Sequence, residues 1–204
     1  MTSEEKINAL ASLREKMQQD STLPLKKGAT NLVFGVGSPD TDVLFIGEGP
    51  GYWEDQNAEP FVGNAGKLLD SLLHSIELPR SDVYITNVVH HRPPENRDPL
   101  PEEIAAYGSY LDQIIEIIKP KIIVTLGRFS MGKFLPGVKI TAIHGKPQSV
   151  NFKGRDIIVI PMYHPAAALR STEVMMQLKH DFLQIPQIIK EAKGKIEVQQ
   201  MQLV

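Results

Sequence analysis

The 204-residue chain contains no cysteine, so disulfide bonds are excluded and thiol content says nothing about the cellular compartment. It also lacks a long hydrophobic run, since no stretch approaches the roughly 20 apolar residues of a membrane-spanning helix. The first residues show no basic segment followed by an apolar one, which is the pattern of a secretory signal. These absences lead us to expect a cytoplasmic protein without membrane association.

An excess of basic residues is missing as well. The chain has 22 Lys and Arg against 24 Asp and Glu, which gives a formal net charge of −2. Proteins that coat nucleic acid electrostatically are typically basic, so this balance counts against tight, non-specific DNA binding. A local basic face stays open, with scattered, solvated charge as the alternative. The cations expected in or near the loops on the side of the molecule that carries the motifs are Arg92, Arg97, Lys146, Lys153, Arg155 and Arg170.

The composition is otherwise that of a globular protein, with 42% hydrophobic and 23% charged residues, and the length suits one α/β domain. Apolar runs predict strands at 42–46, 83–89, 121–126 and 157–162. Helical spacing of apolar residues predicts helices at 4–18, 65–77, 102–118, 128–134 and 173–192.

This alternation of strands and helices predicts a single α/β domain with three layers, α/β/α, around a central, mainly parallel four-stranded sheet. We expect an N-terminal helix and loop at 1–41, the core at 42–192 and a polar tail at 193–204. Segment 138–155 fits either a strand or a hairpin. Asn64 is predicted to cap the helix that follows it.

The most informative segment is the turn after the first of these strands, where Gly47, Gly49 and Gly51 surround Glu48. In open parallel α/β sheets, ligands bind at the carboxyl ends of the strands. Glycines let backbone N–H groups approach a ligand closely and cup an anion, so the turn is a candidate cradle for a phosphate or a base. Glu48 is the one acid in this turn and is therefore a candidate for chemistry.

Two nucleotide-binding motifs are similar to parts of this region, but the first fails at two positions and the second at one. In GxxxxGK[ST], Phe61 occupies the place of the first glycine and Leu68 follows the lysine. In GxGxxG, Tyr52 occupies the place of the third glycine. The sequence therefore argues against a P-loop nucleotide hydrolase and against a dinucleotide-binding domain.

Over roughly residues 32 to 170, the chain resembles the family 4 uracil-DNA glycosylases, because five segments occur in that family's order and approximate spacing. The segments are GEGPGYWED at 47–55, PFVGNAGKLL at 60–69, TNVVHHRPPENRDPLP at 86–101, TLG at 125–127 and YHPAAALR at 163–170. The resemblance implies a monofunctional enzyme that flips uracil out of DNA, hydrolyses its N-glycosidic bond and leaves an abasic site. No lysine nucleophile and no strand cleavage are implied.

The catalytic acid of the family corresponds to Glu48, where a carboxylate can stabilise oxocarbenium character on the sugar or act on the attacking water. The family's His-Pro motif places His164 as a hydrogen-bond donor to uracil O2 while negative charge develops there. A neutral imidazole suffices for this donation. The alternatives are a solvated loop glutamate and a packed structural histidine.

Recognition of the base falls to Asn87 and Phe61 in the same resemblance. The amide of Asn87 offers one acceptor and two donors, which matches N3–H and O4 of uracil and not the corresponding atoms of cytosine. Phe61 offers a face on which a flipped base can stack. The alternatives are an asparagine that caps the next turn and a phenylalanine that belongs to the core.

Further contacts with DNA are expected around this centre. Leu169 and Arg170 resemble the segment that enters the duplex, where an apolar wedge fills the vacated stack and arginine meets phosphate, although a first helical turn has the same pattern. Tyr52 and Trp53 depart from the acidic or small residues common in the family, and they could narrow the pocket, stack a flanking base or only pack. The remaining predicted DNA contacts are Asn64, Arg92 and Lys146.

One departure concerns a cofactor, since the family usually holds a four-iron–four-sulfur cluster on four cysteines. The cysteine pattern falls near Asp20 and Leu23, and at His91 and Tyr107. These side chains cannot supply the several thiolates that such a cluster needs, so we expect no cluster. No pair of the six histidines has the HxH or HxxxH spacing that favours chelation, so we expect no other metal. The clasp between the N-terminal segment and the loop after the second strand must then come from packing. Its candidate residues are Leu23, Leu25, Tyr107 and Tyr110.

Two other functions stay open at this stage, and monomer is the default assembly. Tyr52 and Trp53 allow the same fold to excise another deaminated base, such as hypoxanthine or xanthine. The missing cysteines and the slight negative charge allow a non-catalytic DNA- or protein-binding homologue. The intact set of Glu48, Asn87 and His164 favours the uracil-excising enzyme, because a binding module does not need a donor to a leaving group.

Overall fold

A six-stranded sheet forms the centre of the computed structural model, which describes residues 1–192. In chain order the strands are β1 (Val36–Gly37), β2 (Val43–Gly47), β3 (Tyr84–Asn87), β4 (Ile122–Leu126), β5 (Gln148–Phe152) and β6 (Arg155–Met162). Across the sheet they follow the order β1-β3-β2-β4-β6-β5. The inner strands β3, β2, β4 and β6 are parallel, and the edge strands β1 and β5 are antiparallel to their neighbours. The predicted tail at 193–204 lies outside the described residues.

Helices connect and cover these strands. They are α1 (Ser3–Gln19), α2 (Tyr52–Asn57), α3 (Asn64–Ser75), α4 (Pro101–Ile118), α5 (Arg128–Phe134), α6 (Ile140–Ile143), α7 (Pro165–Ala168) and α8 (Thr172–Phe182). Residues 185–192 are also helical. Within the described part of the chain, none of the helices combines the length and the apolar character that crossing a membrane requires.

The sheet is covered on both faces, which confirms the predicted three layers. Successive residues of β2 face opposite sides, as extended backbone requires. Leu44 and Ile46 share an apolar cluster with residues of α1 and α4. Val43 and Phe45 share a second cluster with residues of α3 and α8. Every residue of β2 is therefore buried, which explains why its sequence is a continuous apolar run.

The strand order places a crevice at the carboxyl edge of the sheet. From β2 the chain moves to β3 on one side and later returns to β4 on the other, so the strand order reverses next to β2. Loops that leave neighbouring strands in opposite directions separate at such a point and leave room for a ligand. The glycine turn at 47–51 begins there.

The two edge strands were not among the four predicted strands. β1 is only two residues long and ends in glycine, which gives no run of apolar residues to recognise. β5 lies within segment 138–155 and forms a hairpin with β6, as one of the two open alternatives anticipated. The same segment contains the short helix α6, which was not predicted.

Two helix boundaries differ from the prediction. Asn64 does not cap α3: Gly63 holds the N-cap position, and Asn64 is the first helical residue. The helix predicted at 173–192 is interrupted after α8, and the chain turns at 183–184. Pro186 then falls in the first turn of the next helical segment, where its missing N–H is tolerated.

Candidate active site

A cavity of about 520 Å³ opens at the carboxyl edge of the sheet, next to the reversal of strand order. Glu48, Phe61, Asn87 and His164 all line it. They come from four different segments: the loop after β2, the loop before α3, the end of β3 and the loop after β6. The fold thus brings together the four residues that the sequence singled out for chemistry and base recognition.

The other predicted residues divide between the cavity and its surroundings. Gly49, Gly51 and Arg170 also line the cavity. Gly47 lies behind Asn87 and Phe61, while Tyr52, Asn64 and Leu169 are exposed on the surface. Arg92 lies over the ring of Tyr52, and the Lys146 ammonium donates to the Ala142 carbonyl at 3.1 Å.

Close packing beneath the cavity explains the glycine at position 47. Gly47 and Asn87 are neighbours across the parallel β2–β3 ladder. A Cβ at position 47 would lie 2.6 Å from the Phe61 ring and closer still to Asn87 Oδ1. Real Cβ atoms do not approach other atoms so closely, so only glycine lets these two side chains lie against the strand.

Asn87 is buried, with an exposed fraction of 1%, and its Oδ1 has no hydrogen-bond partner in the part of the chain that the structure describes. A buried amide oxygen without a partner costs free energy, and most such atoms in folded proteins are paired. Because the side chain lines the cavity, this amide is a candidate partner for a ligand.

Phe61 belongs both to the core and to the cavity wall, so its two interpretations are not exclusive. Its ring stacks on the His164 ring with centroids 5.7 Å apart and planes inclined by 30°. Its backbone has φ 55°, a left-handed conformation that bulky residues rarely adopt. The Arg80 guanidinium, which donates to the Phe61 carbonyl at 3.2 Å, helps to hold this turn.

His164 follows β6 and begins α7, where its Nδ1 accepts the Ala166 N–H at 3.1 Å. Because Nδ1 acts as the acceptor, the ring proton of the neutral imidazole is assigned to Nε2. Burial lowers the pKa of His164 to about 4, and the charge of Glu54 opposes this only in part. At neutral pH the site therefore holds an uncharged imidazole with one N–H donor.

The pKa of Glu48 is shifted in the opposite direction to that of His164. Burial and the negative charge of Asp98 raise the pKa of Glu48 to about 7, against the opposing charge of Arg128. Asp98 and Arg128 form an ion pair at the rim of the cavity. Asp98 lies within the segment at 86–101, but sequence reasoning gave it no role, because its proximity to Glu48 depends on how the loop after β3 folds back.

Glu54 is the second acid of the cavity that sequence reasoning missed. Its Oε1 accepts the Val62 N–H at 3.0 Å and the Gly63 N–H at 2.8 Å. This carboxylate provides the polar contact that Asn64 was expected to make at the start of α3. It also joins α2 to the loop that carries Phe61.

The cations predicted as a basic face do not all lie on this side of the molecule. Lys153 and Arg155 are at the turn where β6 begins, at the opposite end of that strand from His164. Lys153 forms ion pairs with Asp112 and Glu116. That part of the prediction was wrong, because proximity to a predicted loop did not tell which end of the sheet the loop occupies.

Arg97 also has a structural partner. Its guanidinium makes two hydrogen bonds to the Glu103 carboxylate, at 2.8 and 2.6 Å, which joins the loop after β3 to α4. Glu103 additionally accepts the Leu100 N–H at 2.8 Å. These contacts fix the loop that carries Asp98 to the rim.

The positions that correspond to the cluster cysteines do not fit an iron–sulfur cluster. His91 Nδ1 and the Tyr107 hydroxyl are hydrogen-bonded at 2.7 Å, and the Tyr110 hydroxyl donates to Asp20 at 2.8 Å. Within residues 1–192, no group of three or more His, Cys, Asp or Glu side chains is arranged to hold a metal ion. The packing predicted in place of the cluster is present, since one apolar cluster buries Leu23, Leu25, Tyr107 and Tyr110.

Comparisons with known proteins agree with this geometry. The family described as the uracil DNA glycosylase superfamily matches residues 34–185. A type-4 uracil-DNA glycosylase of Sulfurisphaera tokodaii is 43% identical over 190 residues, which cover 89% of this chain and 86% of the relative. The type-4 enzyme of Archaeoglobus fulgidus is 45% identical, covering 80% of this chain and 85% of the relative. That of Thermotoga maritima is 46% identical, covering 77% and 81%.

Proposed function

Since the chain belongs to the uracil DNA glycosylase superfamily, and within it to the type-4 uracil-DNA glycosylases, we propose that it hydrolyses the N-glycosidic bond of deoxyuridine in DNA. The strongest support is the convergence of an unpaired amide, a neutral imidazole donor and a carboxyl group in one cavity. In this proposal the enzyme flips uracil out of the DNA and leaves an abasic site without cleaving the strand. It acts as a monomer in the cytoplasm.

Asn87 selects the base in this mechanism. Its unpaired Oδ1 accepts the N3–H of uracil, and its Nδ2 donates to O4. Cytosine lacks the N3 proton and has an amino group at C4, so both contacts would be lost. Phe61, which lines the cavity, offers the flipped base an apolar face.

His164 assists departure of the base. As the C1′–N1 bond breaks, its electron pair moves to uracil, and the charge spreads to O2. The Nε2–H of the neutral imidazole donates to O2 and stabilises this charge. Because Nδ1 accepts the Ala166 N–H, the ring is oriented before the substrate binds.

Glu48 acts on the sugar and on water. In its ionised form it stabilises positive charge at C1′, and it accepts a proton from the water whose oxygen forms the new bond to C1′. Return of that proton from Glu48 to the uracil anion restores the carboxylate, and the balanced products are uracil and a DNA strand with a hydroxyl at C1′. No iron–sulfur cluster enters the proposal, because the chain has no thiol and two of the corresponding positions, His91 and Tyr107, are hydrogen-bonded to each other.

DNA is proposed to lie across the rim of the cavity. Arg170 lines the cavity next to the exposed Leu169, which suits a phosphate contact beside an apolar wedge. Asn64, Arg92 and Lys146 are proposed as additional contacts with the strand.

An excision assay tests the proposal directly. The purified protein is incubated with a labelled uracil-containing oligonucleotide, single- and double-stranded, in EDTA, and alkali then reveals abasic sites. We expect excision by the wild type and a large loss in Glu48→Gln, His164→Ala and Asn87→Ala. Glu15→Gln, which neutralises an exposed acid on α1, is the matched control and should retain activity. Absence of excision from every uracil substrate would refute the proposal.

The two alternative functions make different predictions in the same assay. Tyr52 and Trp53, which left open another deaminated base, are exposed on α2 and do not line the cavity, so uracil stays the proposed base. Excision of hypoxanthine or xanthine in preference to uracil would reverse this choice. DNA binding without excision of any base would support the non-catalytic homologue.

A further inference from the structure

Two neighbouring aromatic side chains stand exposed beside the cavity. Tyr52 is 48% exposed and Trp53 is 60% exposed, both in the first turn of α2. Their ring centroids are 5.1 Å apart, with the planes inclined by 80°. Large aromatic surface is normally buried, and an exposed patch of it beside a ligand site points to a partner that covers it.

The pair is held in place relative to the cavity. The residues on either side of it, Gly51 and Glu54, line the cavity, and Glu54 holds the loop before α3 through two backbone N–H groups. On the other side of α2, the buried Asp55 accepts the Thr30 N–H at 2.9 Å and the Asn31 N–H at 3.0 Å. These hydrogen bonds hold α2, and with it both rings, in a fixed position relative to the cavity.

A cation completes the surface. The Arg92 guanidinium lies over the Tyr52 ring, 5.2 Å from its centroid, and its Nε donates to Asn96 Oδ1 at 2.7 Å. Asn96 and Pro93, which follow Arg92 in the chain, line the cavity. Exposed aromatic rings with an adjacent arginine are the combination with which proteins bind unpaired nucleotides, because bases stack on the rings and the cation meets phosphate.

The arrangement also argues against the other roles considered for these rings. Neither ring lines the cavity, so neither can contact the 5-methyl group of a thymine bound there. Their large exposed fractions are incompatible with a purely structural role in the core. A base adjacent to the one in the cavity is the ligand that this position can reach.

Resting on the proposed function, we propose that Trp53 stacks a nucleobase that flanks the flipped deoxyuridine, with Tyr52 packed against Trp53 at 80° and Arg92 binding the phosphate of that nucleotide. The flanking base must leave its own stack to reach the rings, and an unpaired strand permits this at lower cost than a duplex. The enzyme is thereby adapted to uracil in single-stranded DNA, and its binding depends on the presence of a neighbouring base, whichever base that is.

The chain's single tryptophan makes the contact directly observable. Trp53 fluorescence is titrated with a single-stranded oligonucleotide that contains 2′-fluoro-deoxyuridine, which resists hydrolysis. Companion oligonucleotides replace the base on the 5′ or the 3′ side of the uracil by an abasic tetrahydrofuran. We expect quenching with the intact strand, and on one side the abasic replacement should abolish it and weaken binding by about 5-fold or more. Equal quenching by all three strands, or none, would overturn the inference.

Variants test the same contact in the excision assay. Trp53→Ala should raise KM for single-stranded substrate by about 5-fold or more, and abasic replacement of the neighbouring base should no longer affect this variant. Trp53→Phe keeps an aromatic ring, so its KM and its response to the abasic replacement should stay close to those of the wild type. Met176→Ala removes another exposed apolar side chain, on α8, and serves as the control. A Trp53→Ala enzyme that keeps the neighbour dependence contradicts stacking.

The outcomes separate this inference from the proposed function. A wild type that excises uracil but is indifferent to the neighbouring base overturns the inference alone. A wild type that excises nothing overturns both. Efficient excision only from duplex DNA, with Trp53 unquenched, would assign the aromatic surface to a protein partner instead.

Discussion

Glu48 and His164 line the same cavity, and burial shifts their pKa values in opposite directions because it favours the neutral form of each. With the pKa of Glu48 at about 7 and that of His164 at about 4, the imidazole is neutral over the whole range in which Glu48 titrates. The proposed reaction requires an ionised Glu48 and a neutral His164. Since His164 is already neutral, ionisation of Glu48 alone produces the active state.

The pH dependence of excision should therefore reflect Glu48, with kcat/KM rising as pH increases through about 7. Asp98→Asn removes a negative charge that raises the pKa of Glu48 and leaves the opposing Arg128 without its partner. We expect the rising limb to move to lower pH, so that kcat/KM at pH 6 increases by roughly 2- to 5-fold. Glu95→Gln removes an exposed acid of the same loop and should leave the profile in place. An unmoved limb in Asp98→Asn would show that Asp98 does not tune Glu48.

Asn87 should show a conflict between function and stability. Asn87→Leu keeps the side-chain size and removes the unpaired Oδ1, so we expect a free energy of unfolding that is unchanged or up to about 2 kcal/mol higher. Excision should fall by about 100-fold or more, because the base loses both polar contacts. Urea unfolding and excision kinetics measure the two effects.

Thr125→Val is the matched control for this prediction. Thr125 Oγ1 is likewise buried without a partner among the described residues, but Thr125 does not line the cavity. The substitution should stabilise the protein without the loss of excision. Strong destabilisation by Asn87→Leu would contradict the absence of a structural partner for the amide oxygen.

At the scale of elements, α2 acts through one carboxylate on the loop that carries Phe61. Glu54→Ala leaves the Val62 and Gly63 N–H groups without their acceptor, so we expect a loss of about 1–3 kcal/mol in the free energy of unfolding and a KM raised by about 10-fold. Glu54→Gln keeps an acceptor oxygen and should behave much closer to the wild type. Equal behaviour of the two variants in urea unfolding and kinetics would contradict this role.

Elements with a strong local signal could be predicted from the sequence. The four inner strands follow continuous apolar runs, and the predicted helix at 102–118 begins within one residue of α4 and ends with it, because Pro120 marks its end. β1 could not be predicted, since two residues ending in glycine carry no periodicity. The cap at Asn64 was wrong because Glu54, from another helix, satisfies the N–H groups of that turn.

The site was predictable to a similar degree. Glu48, Asn87 and His164 follow strands and stand in motifs of the family, which was enough to place them together at one edge of the sheet. Glu54 and Asp98 were missed because their partners are set by how two loops fold back over the cavity. Such contacts between loops leave no pattern in a single sequence.

At the scale of the whole molecule, the buried His90 and His91 and the half-buried His164 should make folding sensitive to mild acid. Burial lowers the pKa of His90 to about 3 and that of His91 and His164 to about 4. The unfolded chain binds these protons below its ordinary pKa of about 6.5, whereas the folded chain stays neutral until near pH 4. The contribution of each histidine is thus present above pH 6.5 and is lost as the pH falls.

Glu48 opposes this effect, because its raised pKa lets the folded state bind a proton between about 4.5 and about 7. Three histidine protons outnumber one, so we expect the free energy of unfolding to decrease from pH 7 to pH 5. Urea midpoints at the two values measure it. The variant His74→Gln removes an exposed histidine and should not change the slope. A flat dependence would mean that the buried histidines are protonated in the folded state.

The four groups of the cavity come from residues 48, 61, 87 and 164, so they are spread over most of the described chain. His164 follows β6, the last strand of the sheet in chain order. β6 pairs with β4, on the opposite side of β2 from β3. A nascent chain on the ribosome therefore has no working centre until β6 has been synthesised and paired with β4. Partial translation products should be inert toward DNA bases, and excision can serve as a readout of completed topology in refolding experiments.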